Sequence, residues 1–347
     1  MLAAVYHGPN DIRVEEVPVP KIGNRELLVK VASASICGTD LRIFHGNHRM
    51  YPDGTVRIPG HEVVGTIAEV GSEVKNYFVG QRVFCAPNTG CGHCLQCISG
   101  NNNLCLTYDA IGVTSDGGFA EYVRIPANSV QQGNVIPISE SVDPAVAALM
   151  EPFACVVRGQ NALHMKPGEV VLIMGAGPIG VMHIKLAKAR GAGRVIVSEP
   201  IPDRATQAKR MGADRVVDPA SENLKSVLSE ESRGRGADVI IVAAPVHAAQ
   251  ENALDLAAIG GRINFFGGLP KDRPLINLDS NLVHYKELVV TGTTACSTAD
   301  CWQAAQIVNS GLVDLSDVIS RRFPLKEAVM AFAAAEDRKS LKIVLEP

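Results

Sequence analysis

The sequence lacks three features that would direct a protein to nucleic acid, to a membrane or to export. Its 33 basic and 36 acidic residues leave a formal net charge of −3, so no positive excess is available to hold nucleic acid or an anionic membrane surface. No uninterrupted apolar run reaches the roughly 18 residues that a membrane-spanning helix requires. The N-terminus has no basic segment and meets its first acid at Asp11, so we expect no signal peptide. We therefore predict a cytoplasmic protein with neither nucleic acid nor a membrane as partner.

Nine cysteines are present, and cytoplasmic cysteine clusters form metal sites more often than disulfides. The stretch NTGCGHCLQCISGNNNLC, within residues 88–107, contains four of them in a C-x2-C-x2-C-x7-C pattern: Cys91, Cys94, Cys97 and Cys105. Four thiolates on one short lobe close a tetrahedral shell around Zn²⁺ and leave no position for water or substrate. An iron–sulfur cluster uses similar ligands, but the second motif of the bacterial ferredoxins does not follow. The pattern therefore predicts a structural zinc.

A chain of 347 residues is too long for one ordinary core and indicates two domains. Residues 1–152 contain short β-branched runs such as LLVKVASAS, whose period-two alternation predicts a β-rich antiparallel domain. In residues 153–287, apolar runs such as VVLIM, RVIVS and DVIIVA alternate with helical patterns, which predicts a doubly wound parallel sheet. Residues 288–347 begin with LVVTG and continue as mixed helix and strand. The predicted fold class is α/β.

The segment VVLIMGAGPIG places a G-x-G-x-x-G motif between a predicted strand and a predicted helix. In that context the small residues let the backbone approach a pyrophosphate, whose charge the helix N-terminus stabilises. Glu199 ends the next strand, where its carboxylate would bind the adenosine ribose hydroxyls and repel a 2′-phosphate, favouring NAD over NADP. Arg204 lies close enough in sequence to neutralise that phosphate. The predicted cofactor-binding set is Gly175, Gly177, Pro178, Ile179, Gly180, Glu199 and Arg204.

A second set of ligand-type residues is dispersed over three segments. ICGTDLR contains Cys37 and Asp40, IPGHEVVG contains His61 and Glu62, and ALMEPFAC contains Glu151. Sulfur, nitrogen and oxygen donors together suit a catalytic zinc, which takes about three protein ligands and keeps one position open. The carboxylate of Asp40 is suited to hold the imidazole of His61 in its ligating tautomer.

Six features are spread along the chain: CGTD, GHEVVG, DGGFAEY, the four-cysteine lobe, EP at 151–152 and GAGPIG. With these features the chain resembles the zinc-dependent medium-chain dehydrogenases from end to end. It resembles the branch that contains sorbitol (L-iditol), L-threonine and galactitol-phosphate dehydrogenases. The resemblance implies a GroES-like catalytic domain at 1–152, a Rossmann NAD-binding domain at 153–287, and a segment at 288–347 that completes the Rossmann sheet and returns to the catalytic domain. It also implies an active site in the cleft between the domains.

The same resemblance implies two zinc ions per subunit. The catalytic zinc would bind Cys37, His61 and either Glu62 or Glu151, which could exchange. The resemblance further implies a homotetramer or a dimer, paired through the segments RINFFGG and 282–294.

In the implied reaction, zinc lowers the pKa of a substrate hydroxyl, and NAD accepts hydride from the carbinol carbon. Thr39 matches the position whose hydroxyl passes the released proton to water. L-threonine dehydrogenases have a sequence like CGTDVH at this motif, whereas this chain has CGTDLR, with Arg42 at the position of the histidine. Sorbitol dehydrogenases carry an Arg-Tyr pair in the loop where this chain has Thr293, Thr294, Ala295 and Cys296.

The substrate expectation is therefore a small secondary alcohol, a polyol or sugar alcohol, with a sugar-alcohol phosphate or L-threonine as alternatives. Five basic residues between the first two ligand motifs could contact an acidic or phosphorylated substrate: Arg42, His45, His48, Arg49 and Arg57. A zinc-free reductase of the same fold would lack the Cys37 ligand set. A silent nucleotide-binding or structural protein is the alternative from a different class.

Overall fold

The structure, a computed structural model, describes residues 1–337 and 339–347. The chain divides into two compact units. The first unit consists of Met1–Ala154 together with Ala295–Pro347, and the second consists of Cys155–Thr294. Each unit has its own cluster of buried apolar side chains.

The strands are short, mostly four to nine residues. In chain order they are β1 (Leu2–Gly8), β2 (Asp11–Glu16), β3 (Leu27–Ser35), β4 (Glu62–Val70), β5 (Arg82–Cys85), β6 (Asn88–Thr89), β7 (Asp109–Ala110), β8 (Tyr122–Ile125), β9 (Val135–Pro137), β10 (Val170–Met174), β11 (Arg194–Ser198), β12 (Arg215–Val217), β13 (Ala237–Val242), β14 (Ala257–Phe265), β15 (Val289–Gly292), β16 (Ile319–Pro324) and β17 (Lys342–Glu346).

The helices reach at most twelve residues. In chain order they are α1 (Gly38–Phe44), α2 (Leu95–Ile98), α3 (Ala127–Gln131), α4 (Pro144–Ala148), α5 (Met150–Asn161), α6 (Pro178–Ala189), α7 (Pro202–Arg210), α8 (Leu224–Glu231), α9 (His247–Leu256), α10 (Ser280–Tyr285), α11 (Thr298–Asn309) and α12 (Ala328–Glu336). No helix in the described part of the chain combines the length and the hydropathy that crossing a membrane would require.

The first unit is built on a seven-stranded sheet in the order β16-β17-β3-β4-β5-β9, with β8 also paired to β3. All pairs are antiparallel except β16 with β17. Along β3, Lys30 is exposed between the buried Val29 and Val31, as period-two alternation predicts. In register, Ser35 at the end of β3 faces both Glu62 at the start of β4 and Val344 of β17. The end of β3 and the start of β4 therefore meet beside β17.

The second unit is a six-stranded parallel sheet in the order β12-β11-β10-β13-β14-β15. All five residues of β10 are buried, because helices cover both faces of such a sheet. The strand order 3-2-1-4-5-6 is that of a doubly wound dinucleotide-binding fold. The doubly wound parallel sheet predicted from the alternating apolar runs is confirmed.

Phe332 of α12 lies at the centre of the apolar cluster of the first unit. It is 1% exposed, and its ring lies 5.8 Å from that of Phe119 and 5.6 Å from that of Phe44. The residue therefore joins the C-terminal helix to α1 and to the loop before β8.

We expect Phe332→Ala to lower the free energy of unfolding by about 3–5 kcal/mol, because the truncation removes buried ring contacts and leaves a cavity. Urea denaturation measures the change. Phe78→Ala is the matched control, since Phe78 is 65% exposed, and it should change stability by less than about 1 kcal/mol. Equal effects of the two substitutions would contradict the packing described for α12.

Candidate functional site

Three of the predicted metal-binding residues come together where β3 ends and β4 begins. Cys37 caps the N-terminus of α1, and its backbone N–H donates to Asp40 Oδ2 at 2.8 Å. The ligand atoms of Cys37, His61 and Glu62 lie within 4.8 Å of one another. Asp40 Oδ1 lies 3.4 Å from His61 Nδ1, so Nε2 is the ring nitrogen left for a metal. The structure thus brings together four side chains of the sequence hypothesis, and their roles at a metal stay a prediction.

Glu62 is fully buried, and its two carboxylate oxygens have different environments. Oε2 accepts from Lys342 Nζ at 2.5 Å and from the hydroxyl of Ser35. Oε1 is buried without a hydrogen-bond partner among the described residues. Burial raises the pKa of the Glu62 carboxyl to about 7, although Lys342 opposes that shift. The sequence analysis did not identify Lys342, which begins β17 and is only 4% exposed.

The electrostatics of this group suit a divalent cation. Burial alone would lower the pKa of His61, but the charges of Asp40 and Cys37 outweigh burial and hold it well above its usual value. The same negative potential that favours a proton on the ring favours a metal ion. A thiol, an imidazole and a carboxylate with one unpartnered oxygen make a donor set that fits zinc with an open position.

Glu151 lies in the first turn of α5 and is 6% exposed. Its Oε1 is 3.5 Å from Cys296 Sγ, and it is not a member of the group formed by Cys37, His61 and Glu62. Glu151 is near enough to Glu62 for its charge to raise the pKa of that carboxyl. In the described residues Glu62, and not Glu151, thus belongs to the group of ligand atoms within 4.8 Å formed with Cys37 and His61.

The four cysteines of the 88–107 lobe converge on one point. Cys97 Sγ lies 3.4 Å from Cys94 Sγ and 4.0 Å from Cys91 Sγ, and all four sulfurs lie within 4.8 Å of one another. A tetrahedral shell with Zn–S bonds of about 2.3 Å needs sulfur separations of about 3.8 Å. The backbone N–H of Cys91 lowers the pKa of Cys105 to about 6, which favours the thiolate that binds a metal. The lobe therefore fits a closed four-thiolate zinc site.

Buried asparagines tie this lobe to the start of α11. Asn102 Nδ2 and Asn134 Nδ2 both donate to the carbonyl of Asn88, each at 2.7 Å. Asn88 Nδ2 in turn donates to the carbonyl of Cys296 at 3.0 Å. Thr298 donates its N–H to Asn102 and its hydroxyl to Asn134. Since Cys296 contacts Glu151, the lobe is connected to that glutamate through hydrogen bonds.

In the second unit, the glycine motif forms a tight turn between β10 and α6. Gly175 has φ +103°, and a Cβ on Gly180 would lie 2.0 Å from the carbonyl oxygen of Gly175. Gly177 caps α6, whose first residues are Pro178 and Ile179. The turn thus leaves backbone free to approach a ligand at the N-terminus of α6, the geometry that pyrophosphate binding requires.

Glu199 follows β11 and is 3% exposed. Its Oε2 accepts from the backbone N–H of Ala176 at 2.7 Å, and its Oε1 accepts from that of Ile201 at 2.9 Å. Arg204 lies on the other side of the turn, with Nη1 4.0 Å from where a Cβ of Gly177 would stand. Glu199 therefore anchors the glycine turn itself, a role that the sequence did not reveal.

The structure divides the five basic residues between the ligand motifs into two groups. His45 Nε2 lies 2.6 Å from Glu336, and Arg57 stacks over Tyr51 while donating to the carbonyl of Val113. Both side chains thus have protein partners, and substrate contact by them stays a prediction. The other three are Arg42, His48 and Arg49, none of which forms an ion pair with a carboxylate in residues 1–337 or 339–347.

Comparison with known proteins identifies both parts of the chain. Residues 23–138 match the alcohol dehydrogenase GroES-like domain, and residues 178–310 match the zinc-binding dehydrogenase family. The chain is 35% identical over 339 residues to an L-threonine 3-dehydrogenase of Alteromonas mediterranea, with 96% of each chain covered.

Two solved structures are similar over the whole chain. Galactitol-1-phosphate dehydrogenase from Escherichia coli is 27% identical, with a TM-score of 0.90 and 100% of both chains covered. An alcohol dehydrogenase from E. coli CFT073, complexed with the cofactor NADH, is 29% identical with a TM-score of 0.90, covering 100% of this chain and 99% of that one.

These similarities confirm the predicted fold class, a GroES-like domain with a Rossmann domain, and an enzyme that acts on alcohols. They also overturn the alternative of a silent binding protein. The chain belongs to the zinc-dependent medium-chain dehydrogenases of the alcohol dehydrogenase superfamily.

Proposed function

We propose that the enzyme interconverts a secondary alcohol and its ketone, with a polyol or sugar-alcohol derivative as substrate and NAD(H) as hydride carrier. The observation that carries the proposal is the group of Cys37, His61 and Glu62, a mixed donor set that leaves room for a substrate oxygen. The whole-length similarity to galactitol-1-phosphate dehydrogenase supports a sugar-alcohol substrate.

In this proposal Cys37 and His61 hold the catalytic zinc together with Glu62 or Glu151, while Asp40 orients the imidazole. Zinc bound there supplies a Lewis acid that lowers the pKa of the substrate hydroxyl. Cys91, Cys94, Cys97 and Cys105 hold the second, structural zinc.

The chain's own proton route begins at Thr39. Its Oγ1 already accepts a hydrogen bond from Arg42 Nη2 at 2.9 Å, which leaves one lone pair and one O–H. The free lone pair takes up the substrate proton, and the O–H passes its own proton to water. An arginine side chain stays protonated in proteins, so Arg42 orients Thr39 without accepting the proton.

The domain roles follow from these sites. Residues 1–152 form the catalytic domain and residues 153–287 the NAD-binding domain, while the segment 288–347 completes the sheet of the second through β15 and then returns to the first. The carboxylate of Glu199, anchored at the glycine turn, favours NAD over NADP. The NADH complex of the E. coli relative supports a nicotinamide cofactor.

L-Threonine is a second candidate substrate, favoured by the 35% identity to L-threonine 3-dehydrogenase. In both cases the reacting group is a secondary alcohol, so the metal and the cofactor serve the same roles. The two candidates differ in what the remainder of the substrate presents to the protein.

We also propose a homo-oligomer, a dimer or tetramer, that pairs through the open edge of the second unit's sheet. β15 is the edge strand, and Val289 on it is 52% exposed. Tyr285, just before β15, and Ile259 in β14 are 77% and 82% exposed. An apolar, unpaired edge is a ready template for a second copy of the same strand.

The function is tested by absorbance at 340 nm when zinc-loaded enzyme and NAD are mixed with polyols, their phosphates and L-threonine. We expect NADH from at least one secondary alcohol, and loss of the rate after chelation. Cys37→Ser should reduce turnover by about 10³-fold or more while NADH binding, followed by fluorescence titration, stays intact, because the two sites are built in separate units.

Cys91→Ser is the contrasting variant, since it removes a ligand of the closed lobe. It should lower thermal stability and affect the rate only through that loss. A folded Cys91→Ser enzyme with no turnover would reverse the roles given to the two metal sites, and no NADH from any alcohol would disprove the proposed reaction.

Cofactor preference is tested by Glu199→Gln, which removes the charge and keeps one acceptor oxygen, for either Ala176 or Ile201. The ratio of kcat/KM for NADP to that for NAD should rise by about tenfold or more, since a like-charge contact of about 1.4 kcal/mol corresponds to that factor. Glu230→Gln, an exposed acid in the same unit, should leave the ratio unchanged. An unchanged ratio in Glu199→Gln would refute the NAD preference assigned to this carboxylate.

The assembly is tested by Val289→Lys, which places a charge on the edge strand. We expect the mass measured by sedimentation equilibrium to fall by a factor of two. Val79→Lys is the matched control, because Val79 is 62% exposed in the other unit. If Val289→Lys keeps the wild-type mass, the edge is not the interface.

A further inference from the structure

Helix α1 carries an arginine that has no acidic partner and points to the reactive hydroxyl. Arg42 follows Thr39 by three positions and therefore lies on the same helix face. Its Nη2 donates to Thr39 Oγ1 at 2.9 Å. A guanidinium has five N–H donors in a planar fork, and Thr39 uses one of them. No carboxylate in the described residues pairs with the rest.

Two more basic groups lie beside this arginine. The Nδ1 atom of His48 accepts the backbone N–H of Met50 at 3.3 Å, so the neutral ring presents Nε2–H as a donor. Burial lowers the pKa of His48, and the charges of Arg42, His61 and Arg49 lower it further. His48 is therefore within electrostatic range of both arginines and of the metal-site histidine. We call Arg42, His48 and Arg49 the basic cluster.

Several arginines of the chain pair with carboxylates, and the basic cluster differs from surface arginines that are unpaired in the described residues, such as Arg25 and Arg210, by its position beside the Cys37 site. Arg194 pairs with Glu231, and Arg262 pairs with Glu169, each at 2.6 Å. Arg13 pairs with Asp11 at the same distance. In a chain with a formal net charge of −3 acids are not scarce, yet in residues 1–337 and 339–347 none forms an ion pair with the basic cluster, and Asp40 alone opposes the positive charges that act on His48. Unpaired positive charge beside a metal site attracts an anion and raises its local concentration.

We propose that Arg42, supported by Arg49 and His48, binds a carboxylate or phosphate of the substrate, which is therefore an anionic secondary alcohol. This inference rests on the proposed function, because it specifies the substrate of the same site. Arg42 touches the hydroxyl that handles the substrate proton, so the anionic group lies close to the reacting carbon. The planar fork matches the two oxygens of a carboxylate or phosphate.

The test compares each anionic alcohol with a counterpart that lacks the charge. The pairs are galactitol 1-phosphate with galactitol, L-idonate with L-iditol, and L-threonine with its methyl ester. Zinc-loaded enzyme and NAD are used throughout. We expect the wild type to prefer the anionic member of one pair by about 10- to 100-fold in kcat/KM, the range of a charge-assisted bidentate contact. The identity of that pair tells a carboxylate from a phosphate.

Arg42→Gln should erase this preference, mainly by raising KM for the anionic member, and Arg42→Lys should restore part of it. Arg124→Gln, an exposed arginine of the same unit, should leave the preference unchanged. Added salt should weaken turnover of the anionic member more than that of its neutral counterpart. If Arg42→Gln slows both members by the same factor, Arg42 only orients Thr39 and the anion site is disproved.

Binding separates failure of this inference from failure of the proposed reaction. Isothermal titration of galactitol 1-phosphate and of L-idonate into the zinc- and NAD-loaded protein requires no turnover. If no alcohol yields NADH, but one of these anions binds more tightly than its neutral counterpart and loses that advantage in Arg42→Gln, the anion site stands and the reaction fails. If neutral polyols are oxidised and no anion binds more tightly, the reaction stands and the anion site fails.

Discussion

Charge compensation around Glu62 is the constraint on which the first unit's site depends. A fully buried carboxylate is costly unless a cation and hydrogen bonds offset its desolvation. Lys342 supplies the cation from a position 280 residues further along the chain, and Ser35 adds a hydroxyl. The two residues belong to β17 and β3, and Glu62 begins β4. The same contacts that neutralise the carboxylate therefore bring these three strands together and fix where Cys37 and His61 meet.

The two cysteine-containing sites differ in how completely their own ligands satisfy a metal. The lobe offers four thiols within 4.8 Å of one another, and backbone N–H groups lower the pKa of Cys91 and Cys105, so a zinc bound there would have four protein ligands. The Cys37 site offers three unlike donors, and Glu62 Oε1 has no hydrogen-bond partner in the described residues. The asparagine network connects the four-cysteine lobe to the rest of the unit. Through this network the lobe holds the backbone at Cys296, which contacts Glu151. The four-cysteine lobe, which has no open position for a substrate, can thus stabilise the residues around Glu151.

Residue spacing was sufficient to predict the parallel sheet, because its alternating strands and helices are a short-range pattern. It was insufficient where a partner comes from far along the chain. Lys342 is the first residue of an ordinary apolar strand, and no local sequence pattern predicts that its ammonium group is buried against Glu62. The five basic residues between the ligand motifs look alike in sequence. Only tertiary contacts show that Arg57 stacks on Tyr51 and that His45 faces Glu336, whereas Arg42 meets Thr39.

In the proposed reaction, the contact between Arg42 and Thr39 links proton transfer to substrate choice. A histidine at position 42 could accept a proton from Thr39 and release it to solvent, whereas a guanidinium that never deprotonates cannot. The proton must then leave directly from the threonine hydroxyl to water. In exchange the site acquires a fixed positive charge next to that hydroxyl. A fixed charge is of little use to a neutral polyol, but it orients an anionic substrate through two parallel hydrogen bonds. An arginine at position 42 therefore removes one proton-transfer step and adds a positive charge that selects an anionic substrate.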